Sequence, residues 1–330
     1  MTGKRFLVIG SNSFTGSHFV SHLLERGFEV VGVSRSEEPA NVFLPHRWVP
    51  SKKFEFHRID LNHDLDALME VVEIQESTHV VNFAAQGMVA QSWDYPTHWY
   101  QTNVVAQAAL HDRLRCVDSL EKYVHVSTPE VYGNTEGWIA ERFDFQPSTP
   151  YAVSRAACDL HLKAMHEAYG YPVVFTRAAN VYGPGQQLYR IIPRTMLFAR
   201  TGRQLQLHGG GVSRRSFVHV DDVAEATCLL ALDGVPGLTY HISTESVVTI
   251  RRLVEQICDM VGTPFDELVE VTEDRLGKDQ AYLLDSTRLR SDLGWVDRVD
   301  LVMGLNETLS WVDENLSFLD VSPLDYVHQP

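Results

Sequence analysis

Over its first 177 residues the chain alternates short apolar runs with helix-length segments, and this alternation narrows the fold more than any other feature. The runs are RFLVIG (5–10), FEVVGVS (28–34), FEFHRIDL (54–61), HVVNFAA (79–85), KYVHVS (122–127) and YPVVFTR (171–177). Between them lie stretches of helical character at 17–27, 64–75, near 97–118 and at 151–169. Continuously apolar strands must be covered on both faces, which a parallel sheet achieves by crossing over through helices. The expected class is therefore α/β, with a doubly wound parallel sheet. Beyond residue 177 the regularity yields to a segment richer in Gly and Arg at 183–216, then a short strand and an amphipathic helix in FVHVDDVAEATCLLAL (217–232). Helical patterns return at 249–262 and near 301–316, whereas the tail SFLDVSPLDYVHQP shows no clear periodicity.

The first strand runs into GSNSFTG, which spaces Gly10, Ser13 and Gly16 between a strand and a helix. Glycines in such a turn permit a tight reversal and bring main-chain N–H groups to an anion at the helix N-terminus. Lacking its middle glycine, the turn by itself is equally consistent with a plain strand-to-helix loop. After the second strand come Ser34 and Arg35, where a carboxylate would hold the ribose of NAD and an arginine accommodates the 2′-phosphate of NADP. Arg35 thus tilts the expectation within NAD(P) toward NADP, a solvated loop arginine being the alternative. Asp60 and Leu61 after the third strand, and Ala84, Ala85 and Gln86 after the fourth, occupy the strand ends where such a sheet places its ligand.

A further constellation stands at Thr128-Pro129-Glu130 and at Tyr151-Ala-Val-Ser-Arg155. Tyr151 and Arg155 are four residues apart and share a helix face, so a fixed cation beside the phenol is expected to lower its pKa. Thr128 is placed to bond a substrate oxygen beside that phenol, and Glu130 is a second proton-transfer group. An ordinary helix-face pair is the alternative for Tyr151 and Arg155.

Charge narrows the partners. With 28 basic against 43 acidic residues the net charge is −15, which argues against nucleic acid and anionic membranes, because both demand a basic surface. An anionic ligand must meet local positive charge, and 183–216 holds Arg190, Arg194, Arg203, Arg214 and Arg215. Cys116, Cys158, Cys228 and Cys258 lie far apart without a CxxC or Cys/His pairing, so neither a disulfide framework nor a metal site is suggested. No secretory leader and no run of ~18 apolar residues is present, which makes a cytoplasmic enzyme the expectation.

GxxSxxG, NFAAQ, STPEVYG, STPYAVSR, RAANVYGPGQ, RRSFVHVDD and RLGKDQAYLLD follow one another in this order across almost the whole chain. The set resembles the extended short-chain dehydrogenase/reductase family, in particular its nucleotide-sugar epimerases and dehydratases. The resemblance implies a Rossmann domain for NAD(P), over 1–177 and about 217–241, and a smaller mixed α/β lobe for a nucleoside diphosphate sugar, over 178–216 and 242–330. It places Gly10, Ser13, Phe14, Thr15 and Gly16 along the cofactor's pyrophosphate, Asp60 and Leu61 at the adenine, and Ala84, Ala85, Gln86 and Asn103 on the path to the nicotinamide. Tyr151 matches the family's catalytic tyrosine, Thr128 its hydrogen-bonding partner, and Arg155 the position of its lysine; all three, with Glu130, form the implied catalytic set. Gln86, Thr128, Asn180, Arg190, Arg215 and Arg275 fall at positions that grip the substrate, arginine suiting phosphate through its planar fork.

Thr128-Pro129-Glu130 is similar to the Thr-x-Glu of the 4,6-dehydratases, most like the GDP-mannose type, and so implies a lyase that oxidises C4, eliminates water across C5 and C6 and returns the hydride to C6. A 4-epimerase, a uronate decarboxylase and a catalytically silent NAD(P)-binding module are the alternatives. A homodimer through the helices near 97–118 and 151–169 is also implied. Three positions depart from the family pattern: Arg155 replaces lysine, Pro129 stands where the dTDP-glucose enzymes carry an aspartate, and Ser216 replaces the aspartate of the RDF segment.

Overall fold

The computed structural model describes residues 4–135, 137–273 and 283–330. In chain order its elements begin β1 (Arg5–Ile9), α1 (Phe14–Glu25), β2 (Glu29–Ser34), β3 (Phe54–Arg58), α2 (Leu65–Ile74), β4 (His79–Asn82), α3 (Pro96–Tyr100), α4 (Ala106–Leu114), β5 (Lys122–Val126) and β6 (Trp138–Ile139). They continue with α5 (Pro150–Tyr169), β7 (Val173–Ala178), β8 (Asn180–Tyr182), α6 (Ile191–Thr201), β9 (Leu205–His208), β10 (Arg214–Arg215), β11 (Phe217–His219), α7 (Val220–Asp233) and β12 (Thr239–Ile242). Seven strands form one sheet in the order β12-β7-β5-β4-β1-β2-β3, and every pairing in it is parallel. The chain winds outward from β1 to β3 and then outward the other way from β4, so the topological switch point lies between β1 and β4. Ligands of such sheets sit outside the carboxyl ends of the strands at that point.

The apolar runs behave as two-faced strands. In β1, Leu7 and Ile9 join Val80, Leu110, Leu114 and Leu162 in one buried layer, while Phe6 and Val8 join Phe19, Leu23, Val81 and Val124 in the other. Each face is thereby covered, which is why polar alternation is missing from these strands. A second cluster of Tyr182, Ile192, Met196, Leu253, Ile257, Leu305 and Trp311 forms the core contributed by the later segments.

The stretch near 97–118 is helical, with one local departure. Residues Gln101–Val105 between α3 and α4 form a π-helical turn. One extra residue per turn rotates the side chains that follow, and such insertions cluster at functional sites. Asn103 sits on this turn with its side chain fully buried. Among the described residues no helix is long and apolar enough to cross a membrane.

Candidate active site

The turn after β1 requires glycine at both ends. Gly10 has φ +86°, and a Cβ there would lie 2.8 Å from the Ala84 nitrogen; at Gly16 a Cβ would lie 2.3 Å from the Gly10 oxygen. Ser13 is different, with φ −72° and ψ 156°, an extended geometry open to any L residue. Its hydroxyl donates to the Gly10 oxygen at 2.7 Å and accepts from the Gly16 nitrogen at 3.1 Å, which makes it the N-cap of α1. Phe14 and Thr15 open that helix directly behind the cap. The Ser34 hydroxyl, at the end of β2, accepts from the Asn12 nitrogen at 3.0 Å and so braces the same turn.

At the end of β3, Asp60 accepts from the Asn62 nitrogen at 2.9 Å, and Leu61 is buried. After β4 the Ala84 nitrogen donates to the Asn82 side chain at 2.9 Å, Ala85 is exposed, and Gln86 is buried. Asn103 holds this loop as a second strand would: its Oδ1 accepts from the Gln86 nitrogen at 2.8 Å and its Nδ2 donates to the Gln86 oxygen at 3.0 Å. The same Nδ2 donates to Ser154 Oγ on α5 at 2.9 Å. The π turn thus ties the β4 loop to the helix that carries Tyr151.

Thr128 follows β5 and caps a short 3-10 turn, Pro129–Tyr132, that carries Glu130. Thr149 caps α5 by accepting from the Ala152 nitrogen at 3.1 Å, Pro150 opens the helix, and Tyr151 follows. The Tyr151 hydroxyl meets the Thr128 side chain in a hydrogen bond. Sequence reasoning expected a lowered tyrosine pKa, and the structure corrects the sign. Burial first, then the Glu130 charge, push the phenol up to about 12, against the opposing pull of Arg155, the Thr128 bond and Arg190. A neighbouring cation is outweighed because the phenol is only 9% exposed, and desolvation penalises its anion.

Arg155 is buried, with 2% of its surface exposed, and its Nη2 donates to the Val126 carbonyl and lies 3.3 Å from His125 Nε2. Behind it is a polar cluster that sequence reasoning missed. His125 Nε2 lies 3.1 Å from Asp159 Oδ1, and Arg177 Nη2 donates to Asp159 Oδ2 at 2.6 Å. Ser127 Oγ donates to the same Asp159 Oδ2 at 2.8 Å, and Arg177 Nη1 donates to the Tyr132 hydroxyl at 3.0 Å. Burial raises the Asp159 carboxyl, but Arg177 and His125 overcome it and hold the group well below the carboxylate range. A signal did exist in the sequence: Asp159 falls four residues after Arg155, on the same helix face.

The residues expected on the substrate side lie on β8, at the N-terminus of α6 and on β10. Asn180 Nδ2 donates to the Ser216 oxygen at 3.2 Å, Arg190 is exposed beside the Tyr189 ring, and Arg215 Nη1 donates to the Arg214 oxygen at 2.8 Å. The Arg190 charge is near enough to the Tyr151 phenol to pull weakly against its raised pKa. Ser216 Oγ donates to the Thr244 carbonyl at 3.0 Å, a buried site with an acceptor where an ionised aspartate would be repelled. Arg275 lies outside the described residues. Arg35 is engaged by the chain's own tail, donating to the main-chain oxygens of Gln329 and Pro330.

A doubly wound parallel sheet, a glycine turn at its switch point and a Thr-Tyr-Arg set beside Glu130 define the chain as an extended short-chain dehydrogenase/reductase. A family model described as GDP-mannose 4,6 dehydratase matches residues 7–308, and the chain belongs to that family. It is 34% identical to the dTDP-glucose 4,6-dehydratase of Streptomyces niveus, covering 94% of this chain and 93% of that protein. The crystal structure of the dTDP-glucose 4,6-dehydratase DesIV from Streptomyces venezuelae, with NAD and TYD bound, superposes with a TM-score of 0.88 at 31% identity, covering 95% of this chain and 98% of that one. A trifunctional UDP-glucose 4,6-dehydratase/UDP-4-keto-6-deoxy-D-glucose 3,5-epimerase/UDP-4-keto-L-rhamnose-reductase of Arabidopsis thaliana is 28% identical over 94% of this chain. The chain spans about half the length of that plant protein, 47%.

Two features of the chain suit a bound dinucleotide. The approach to the α1 N-terminus passes through glycines that admit no side chain, and Arg155 Nη1 is a buried donor with no partner among the described residues.

Proposed function

We propose that the chain is an NAD(P)-dependent nucleotide-sugar 4,6-dehydratase acting on a nucleoside diphosphate hexose. The observation that carries this reading is the hydrogen bond between the Tyr151 hydroxyl and the Thr128 side chain, with Glu130 on the turn that Thr128 caps and its charge raising the phenol. Bound NAD(P)+ would supply the acceptor for the C4 hydride and, once reduced, the donor that returns it to C6. Tyr151 removes the C4 hydroxyl proton while Thr128 holds the same oxygen in register. The resulting 4-keto group acidifies the C5 hydrogen, which Glu130 takes.

Departure of water from C6 needs a proton on the leaving oxygen. Pro129 has none to donate, and the Ser127 hydroxyl is committed to Asp159 at 2.8 Å. Glu130, having collected the C5 proton, delivers it to the departing C6 hydroxyl, and a solvent proton passed through Glu130 goes to C5 as the hydride returns to C6. Arg155 supplies fixed positive charge and an Nη1 with no partner among the described residues, and Arg190 and Arg215 the cations for the diphosphate. A homodimer through the helices near 97–118 and 151–169 accompanies this reading, supported by the exposed Tyr100, Val105, Val153 and Leu160 on those stretches. Light scattering of the purified chain tests it.

The reaction is tested by incubating the protein with a panel of nucleotide sugars in deuterated water. A 4-keto-6-deoxy product carrying solvent deuterium is the expected result. An unlabelled C4 epimer would assign the site to an epimerase, and loss of carbon dioxide from a uronate would assign it to a decarboxylase.

A further inference from the structure

The tail that has no readable periodicity in the sequence has a definite one in space. From residue 321 to 328 it alternates, with Ser322, Leu324, Tyr326 and His328 turned toward the protein and Val321, Pro323, Asp325 and Val327 exposed. It starts at α6, where Arg194 Nη2 donates to the Leu324 carbonyl and pairs with Asp325 at 2.8 Å. Tyr326 then meets the Tyr189 ring edge-on at 5.8 Å. His328 stacks against Tyr95, His98 and Trp99 at 4.9 to 5.1 Å and shares a 2.8 Å hydrogen bond with His98 Nδ1. At its far end the Gln329 carbonyl accepts from both Gln86 Nε2, at 2.7 Å, and Arg35 Nη2, at 3.2 Å, and the Pro330 oxygen accepts from Arg35 Nη1 at 2.5 Å.

These last contacts span the sheet's switch point. Gln86 follows β4 and Arg35 follows β2, while β1 with its glycine turn lies between those two strands. One carbonyl oxygen thus bridges the two walls of the crevice in which a doubly wound sheet holds its dinucleotide. Gln329 and Pro330 are themselves exposed and Gln86 is buried, so the segment crosses the carboxyl ends of β4, β1 and β2 at the surface. We propose that residues 324–330 are a strap that closes the cofactor crevice, with Arg35 as its latch rather than as a reader of the 2′-phosphate. The inference rests on the dinucleotide-binding reading above. It also supplies what that chemistry needs, because a hydride stored on the cofactor must stay in place until it returns to the same sugar.

The strap is held by exposed and half-buried hydrogen bonds and by the ring contacts of Tyr326 and His328, contacts that open more readily than a packed core. Its removal is therefore expected to act on the rate at which bound dinucleotide exchanges. Intact chain, chain ending at Pro323, and full-length His328→Ala are loaded with NAD+ and mixed with excess fluorescent etheno-NAD+, and exchange is followed by stopped flow. Faster exchange is expected, by about ten-fold for the shortened chain and by a smaller factor for His328→Ala. The shortened chain is also expected to gain NADP+ affinity in titration calorimetry, since Arg35 is released. An unchanged exchange rate overturns the strap, as does slower exchange with tighter NAD+ binding, which would make the tail a competitor. Failure of the intact chain to bind either dinucleotide overturns both the strap and the proposed function.

Discussion

Two arginines near the carboxyl ends of the sheet's strands, Arg155 beside β5 and Arg35 after β2, are held in opposite ways. Arg155 is buried and meets the Val126 carbonyl and His125, behind which stands the fully buried Asp159–Arg177 pair. Arg35 lies at the rim and is held by main-chain oxygens of a tail whose last two residues are exposed. The inner cation is positioned by the same contacts that stabilise the domain, so it cannot move without partial unfolding. The outer one is positioned by exposed contacts with the tail, which the proposed strap would open without disturbing the core. On that proposal one fold supplies a fixed electrostatic wall for chemistry and a movable one for exchange.

That contrast orders the expected responses to mutation. The largest belongs to the inner wall: Tyr151→Phe should reduce turnover by about 10²–10⁴-fold, the range for loss of a proton-transfer group, while dinucleotide affinity stays close to that of the parent. Turnover and calorimetry on the same preparation check it, and a parent protein with no turnover on any nucleotide sugar would instead favour a silent binding module.

Removing the partner of a buried cation is costly, so Asp159→Ala should lower unfolding stability by about 3–5 kcal/mol in urea. The same carboxyl gives the pH dependence. Its pKa is depressed in the folded state, so its contribution is fully present above an unfolded value of about 3.9 and is lost as pH falls from there toward the lower folded value. Denaturant midpoints measured in acid should therefore decline more steeply for the parent than for Asp159→Asn.

Glu130→Gln should slow water elimination by about 10²-fold. It also removes one of the two causes that raise the Tyr151 phenol, so tyrosinate absorbance should show that group titrating lower than about 12 in the variant. Accumulation of a 4-keto sugar that keeps its C6 hydroxyl would separate oxidation from elimination.

The smallest effect is expected at the mouth of the turn. Ser13 is a helix cap whose hydroxyl is used within its own turn, so Ser13→Gly should cost a few tenths of a kcal/mol and leave dinucleotide affinity unchanged. A weakened affinity would show that the hydroxyl reaches the ligand after all.

Sequence reading succeeded where the physics is local. A run such as RFLVIG can satisfy its two apolar faces only between two helical layers, and Gly10 and Gly16 occupy positions that no side chain can enter. Thr128, Glu130, Tyr151 and Arg155 were recognisable because each lies in a short ordered motif. The sign of the Tyr151 shift was not recognisable. Helix spacing brings Arg155 near the phenol, but the depth of burial and the approach of Glu130 from another loop depend on how β5 and α5 pack.

The π turn at Gln101–Val105 escaped for a similar reason, since nothing in QTNVV departs from ordinary helical composition. Its extra residue is stabilised by what Asn103 finds across the interface, the Gln86 main chain and Ser154. The cluster of His125, Asp159 and Arg177 draws one residue each from β5, α5 and β7, and becomes visible only when those elements are side by side.

Alone, then, the sequence determined the layers of the fold, the order of its strands along the chain and the candidates for proton transfer, because periodicity and motif spacing act over a few residues. Tertiary structure decided the direction of the Tyr151 shift, the burial of Arg155 and the union of Arg35 with residues 329 and 330, nearly 300 positions away. Those outcomes depend on desolvation and on hydrogen bonds between distant segments, and neither quantity exists until the chain has folded.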